Sequence, residues 1–87
     1  MQTEAKEFYA KLKNIKRSNG IIYADYEPEN SGITGKISIR ISDKEVISSV
    51  VSEYDKEFPI YLQHAILALK KLVGIEELPK EKLVMWY

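Results

Sequence analysis

The sequence has no cysteine, a single histidine, three prolines, four glycines and no surplus of either charge sign. The absence of thiols excludes disulfides, thiolate nucleophiles, Cys-ligated zinc and iron–sulfur clusters together. A short chain without disulfides suits a reducing compartment, so a cytoplasmic location is expected. Lysine plus arginine equals aspartate plus glutamate, at 13 each. Nucleic-acid binders usually carry a basic excess, because neutralising phosphates drives their affinity. That excess is missing overall. No apolar run approaches the roughly 20 residues a membrane helix needs, and Glu4, Lys6 and Glu7 interrupt any signal-peptide core. A soluble protein with no membrane association is expected.

The same scarcity limits chemistry. His64 stands alone, and one imidazole cannot build a metal site or a nucleophile–His dyad without a partner. The glycines at 20, 32, 35 and 74 form no phosphate-cradling motif. Asp25, Glu27 and Glu29 alternate, so in an extended chain their carboxylates would point the same way and could approach a Mg²⁺ or Ca²⁺ ion. They lack the ligand spacing of a calcium loop, and solvated charges entering a turn account for them. No catalytic residue, metal or cofactor is assigned, and no enzymatic activity is expected.

What remains is an ordinary globular composition, 45% hydrophobic and 30% charged over 87 residues. That length makes a single α+β domain over residues 1–87, burying roughly 60–65% of the surface its unfolded chain would expose. Residues 3–17 read as an amphipathic helix, because Ala5, Phe8, Leu12 and Ile15 recur at three- and four-residue spacing. Ser18-Asn19-Gly20 supplies its stop, with Asn19 or Gly20 suited to a left-handed C-cap. Residues 21–26 are short, β-branched and aromatic, hence a strand, and residues 28–32 are turn chemistry. From 33 to 42 the alternation is clean: Ile37, Ile39 and Ile41 on one face, Lys36, Ser38 and Arg40 on the other.

Residues 45–54 fit a helical period as well as a strand, but their β-branched residues and serines favour the strand. A tight turn at Asp43-Lys44 would then set Val46 opposite Ile41 and Val50 opposite Ile37. Pro59 opens a second helix running to about Val73, with Gly74 as its stop and Lys70 and Lys71 favourably placed in its last turn. The apolar tail Leu83–Tyr87 is expected to pair as a short edge strand or to dock on the core. The expected fold is two-layered, with α-β-β-β-α order, an antiparallel meander packed against helices and a short C-terminal strand.

That order resembles the double-stranded-RNA-binding domains, and the resemblance stops at order. The family places a histidine in its β1–β2 loop and a lysine cluster at the start of its second helix. Here the loop carries Glu27 and Glu29, and the second helix begins Phe58-Pro59-Ile60-Tyr61. The resemblance implies nucleic-acid binding, for which Lys36 and Arg40, with Lys6, Lys13 and Arg17 beside the first helix, are the candidate residues.

The second helix carries the most informative pattern. Tyr61, Leu62, Ala65, Ile66, Ala68, Leu69, Leu72 and Val73 make one broad apolar face, while Ile60 and Leu67 project the other way in a stripe with His64 and Lys71. A helix apolar on two sides usually contacts two things: here the first helix, a partner protein or a second copy of the chain. Burying Ile60 and Leu67 on a partner could contribute roughly 3–5 kcal/mol at most. The leading expectation is a non-enzymatic interaction module of accessory, inhibitor or immunity type, acting by occlusion or scaffolding and able to self-associate. The Lys/Ile-rich composition points to a bacterial or phage source.

Overall fold

The computed structural model describes residues 8–86. Over them the chain adopts a mixed α+β fold: a five-stranded antiparallel sheet with one α-helix on one face. Strands β1 (Phe8–Ser18), β2 (Ile21–Pro28), β3 (Gly35–Arg40) and β4 (Val46–Val50) form a meander. A 3-10 turn (Glu53–Asp55) and helix α1 (Ile60–Leu72) follow, and β5 (Lys82–Trp86) closes the sheet in the order β4-β3-β2-β1-β5. No helix among the described residues is long and apolar enough to cross a membrane.

The first element corrects the sequence reading. Phe8–Ser18 is a strand, not a helix, so the order begins with β1 and α1 is the only α-helix among the described residues; residues 3–7 and Lys6 lie outside them. The physical reason is a β-bulge. The register with β2 slips between Lys13 and Lys16, and Asn14 takes a left-handed φ of 53°. One extra residue therefore separates Leu12 from Ile15, and both reach the core although they are three apart. Asn19 and Gly20, with φ of 52° and 76°, are not a helix cap. They form the tight two-residue turn of the β1–β2 hairpin, flanked by the pair Ser18–Ile21.

The other elements lie close to where the patterning placed them, with two further corrections: the strand expected over residues 45–54 ends at Val50, Glu53 and Tyr54 belonging to the 3-10 turn, and its register differs. Val46 pairs with Ile39 and Val50 with Lys36, not with Ile41 and Ile37, because the turn takes up residues 41–44, closed by the Arg40 amide on the Glu45 carbonyl, and is not a tight turn at Asp43-Lys44; a register shift follows between Ser38 and Ile39. Ala10, Leu12, Ile22, Ala24, Tyr26, Ile37 and Ile39 line the inner face of the sheet. Against them α1 lays Tyr61, Leu62, Ala65, Ala68, Leu69 and Leu72.

A buried polar knot fixes the start of α1. Pro59 stands at its N-cap and supplies no side-chain cap, which leaves amides at the helix start needing acceptors. Buried Asp55 provides them, accepting from the Tyr61 amide at 3.2 Å and the Leu62 amide at 2.8 Å. The Tyr26 hydroxyl donates to the same carboxyl at 3.2 Å and accepts from the Ser52 amide at 2.8 Å. Burial pushes the Tyr26 phenol up to about 12, with the Ser52 amide opposing and Asp55 reinforcing. At the other end of α1, the Arg17 guanidinium donates to the carbonyls of Val73 at 3.3 Å and Glu76 at 2.7 Å.

Candidate interaction groove

The helix is too narrow to cover everything beside it. Ile60 and Leu67 remain 46% and 56% exposed, so the second apolar side of α1 is left open by the described residues. His64 lies on the β5 flank, where its ring stacks on Trp86 at 4.1 Å and 11°. Trp86 also stacks on Phe8 and meets Tyr61 edge-on at 5.3 Å. This aromatic cluster ties α1 to the outermost strand.

Beyond that clasp, helix and strand diverge into a groove of about 320 Å³, lined by His64, Leu67 and Lys71 from α1 and by Lys82, Leu83 and Met85 from β5. Leu67 is exposed on the helix side, whereas Leu83 and Met85, opposite Lys11 and Tyr9, are exposed on the outer face, so β5 turns Lys82 and Val84 toward α1. Two lysines and an imidazole line the groove, and no carboxylate of the described residues does. Among the described residues, neither Lys71 nor Lys82 makes a side-chain hydrogen bond or ion pair. Among the described residues β5 pairs only with β1, which leaves its outer backbone edge open. Of the expected stripe, His64, Leu67 and Lys71 thus come together at one site. Ile60 does not join them; it sits beside exposed Phe58 at the helix start.

The basic residues proposed for nucleic acid divide. Lys13, Lys36 and Arg40 share the outer face of the sheet with Lys11, Lys16 and Tyr23. Arg17 lies on the helix side, where it caps α1. In a helix Lys13 and Arg17 would share a face; in a bulged strand they point opposite ways. The outer face is mixed in charge. Lys13 pairs with Glu27 at 2.5 Å, Lys36 with Asp25 at 3.5 Å, and Arg40 with Asp43 at 2.8 Å. The Lys16 ammonium lies 5.7 Å over the Tyr23 ring, and the Lys11 ammonium donates to the Asn30 side-chain oxygen at 3.0 Å; neither has a carboxylate partner among the described residues.

The three alternating carboxylates do not converge either. The Lys13 ammonium and the Gly32 amide hold Glu27 below the usual carboxylate range. Asp25 accepts from Asn14 and Lys36. Glu29 turns away, its φ of 49° breaking the alternation, and accepts the Tyr61 hydroxyl. Burial, then that contact, raises the Tyr61 phenol. Among the described residues, no three His, Asp or Glu side chains are grouped so as to hold a metal ion. Comparison with protein-family models, curated proteins and solved structures returns no match.

Proposed function

We propose that this chain is a non-enzymatic protein-interaction module that takes up an extended peptide segment as an added strand on β5. The observation carrying this reading is the convergence of an unpaired strand edge and an exposed apolar helix flank on one groove. Strand addition uses both features: backbone hydrogen bonds to the edge supply affinity, and pockets for alternate side chains supply selectivity.

Geometry sets the length of the guest. From His64 to Lys71 the helix advances about 10 Å at 1.5 Å per residue, and from Lys82 to Met85 the strand advances about 10 Å at 3.3 Å per residue. The groove therefore holds roughly three or four extended residues. Alternate side chains of the guest fall on two faces: those toward α1 meet Leu67, those on the outer face meet Leu83 and Met85, and Lys71 and Lys82 ask for a carboxylate. The guest is an apolar segment carrying aspartate or glutamate. Its capture occludes or scaffolds the protein that bears it, with no chemical step.

The test is selection from a random displayed-peptide library, with Lys71→Glu/Lys82→Glu and Leu67→Asp variants run in parallel. These positions are exposed, so circular dichroism should show the fold unchanged. Enriched peptides should combine apolar and acidic residues, shift the β5 amide resonances, and bind either variant at least about tenfold more weakly. Failure to enrich any sequence over the variants, or enrichment of sequences indifferent to both, would overturn the reading.

A further inference from the structure

The opposite edge of the sheet differs in kind. Residues 46–52 read Val-Ile-Ser-Ser-Val-Val-Ser, with no charge and no proline. Among the described residues β4 ends the sheet on this side and pairs only with β3, and Ile47, Val50 and Val51 are exposed along it. Edge strands are normally guarded by lysine, proline, a bulge or a covering element, because their free N–H and C=O groups template further pairing. Among the described residues the one such feature is the register slip between Ser38 and Ile39, at the Val46 end; from Ser48 to Val50 the ladder with β3 is regular.

We propose that β4 is a self-association surface, on which two copies pair β4 to β4 antiparallel about a two-fold axis normal to the sheet. Charge selects this occupant. An edge without charges offers nothing to choose a charged partner and nothing to repel its own copy. The β5 side would instead gather four lysines, Lys71 and Lys82 of each copy, along one seam that no carboxylate of the described residues lines. Antiparallel pairing about a two-fold axis is also self-complementary, since each copy's free donors meet the other's free acceptors, and it closes at two subunits. Pairing of β4 with β5 of another copy would not close and would propagate as a filament. An axis normal to the sheet keeps both α1 helices on one face and leaves the two β5 grooves at the far ends of a continuous doubled sheet. The product is a bivalent binder.

The natural absence of cysteine makes a direct test available. Ser48→Cys and Ser49→Cys each give the protein one thiol, on opposite faces at the middle of the edge; Ser18→Cys, at the far end of β1, is the control. Residues directly opposed across an antiparallel ladder have Cα atoms about 4.5–5.5 Å apart, within disulfide reach. Under mild oxidation, one of the two edge variants should cross-link to a dimer much faster than Ser18→Cys does. By light scattering across a concentration series, the unmodified chain should approach twice its 10.1 kDa mass. Val50→Lys or Ile47→Glu, both at exposed positions, should weaken that association at least tenfold while the circular dichroism spectrum is kept. A chain that stays at 10.1 kDa up to its solubility limit refutes the proposal. So do open-ended assemblies, edge thiols no faster than the control, or association indifferent to both charged variants. None of these readouts depends on what occupies the β5 groove.

Discussion

Replacing Tyr26 with phenylalanine isolates the polar knot on which the placement of α1 rests. The ring of Tyr26 is fully buried, so the substitution keeps its packing and deletes one hydroxyl. That hydroxyl serves two buried groups, accepting from the Ser52 amide at 2.8 Å and donating to the Asp55 carboxyl at 3.2 Å. A buried donor left unsatisfied costs about 1–3 kcal/mol, and a bond to a charged acceptor contributes about 1.5–3 kcal/mol. Asp55 keeps the Tyr61 and Leu62 amides, which softens the second loss. The expected destabilisation is therefore about 2–3 kcal/mol, or a fall in Tm of roughly 10–20 °C for a domain of this size. Urea denaturation followed by circular dichroism measures it, with the midpoint falling and the slope unchanged. Tyr23→Phe, on the outer face, serves as the control and should stay within about 0.5 kcal/mol of the parent. If Tyr26→Phe is equally silent, the knot does not hold the helix in place.

Alkali should probe the same group. Because burial raises the Tyr26 phenol from its ordinary value near 10 to about 12, the fold favours its protonated form. The stability this contributes is complete below about pH 10 and is lost as pH rises toward 12; stability measured across that window should fall less steeply in Tyr26→Phe. Gly35→Ala should be among the most damaging single changes, by about 3 kcal/mol or more in a urea titration. A Cβ there would meet the Tyr26 ring, the Val50 carbonyl and, at 2.8 Å, the Ser52 nitrogen, and two of those are backbone atoms that cannot swing aside.

How much of this was legible depended on how local the determinant was. The alternating isoleucines of β3, the Pro59 and Gly74 bounds of α1 and the apolar C-terminal tail each announce their element within a few residues, and each is where the pattern put it. β1 misled because its bulge at Asn14 turned a period of two into a spacing of three between Leu12 and Ile15, imitating a helix. Two signals pointed the other way. Phe8, Ala10 and Leu12 alternate, and Asn19-Gly20 before a β-branched run is a strong hairpin marker. In the candidate groove, the exposure of Leu67 followed from helical spacing. The contribution of Leu83, Met85 and Lys82 did not, since it comes from pairing the last strand with the first, which no short window of sequence encodes. The Asp55 knot was equally hidden, because nothing near Ser52 or Asp55 in sequence signals that both are buried.

The loss of the expected first helix changes what the fold must do with its apolar surface. Five strands at about 4.8 Å spacing present a face some 19 Å wide between the outer strand axes, whereas a helix with side chains is about 10–12 Å across. One helix covers little more than half of that width. α1 makes its main contacts with β1, β2, β3 and β5, and the shortfall appears at both flanks. Leu67 stands open on the β5 side, and Ile47 and Val51 stand open beside β4. A second helix would have closed at least one of these flanks from within the chain. With a single helix among the described residues, neither surface is covered by them. In the two proposals the distribution of charge separates the occupants: lysines on one side favour an acidic guest, and a neutral edge on the other does not repel its own copy.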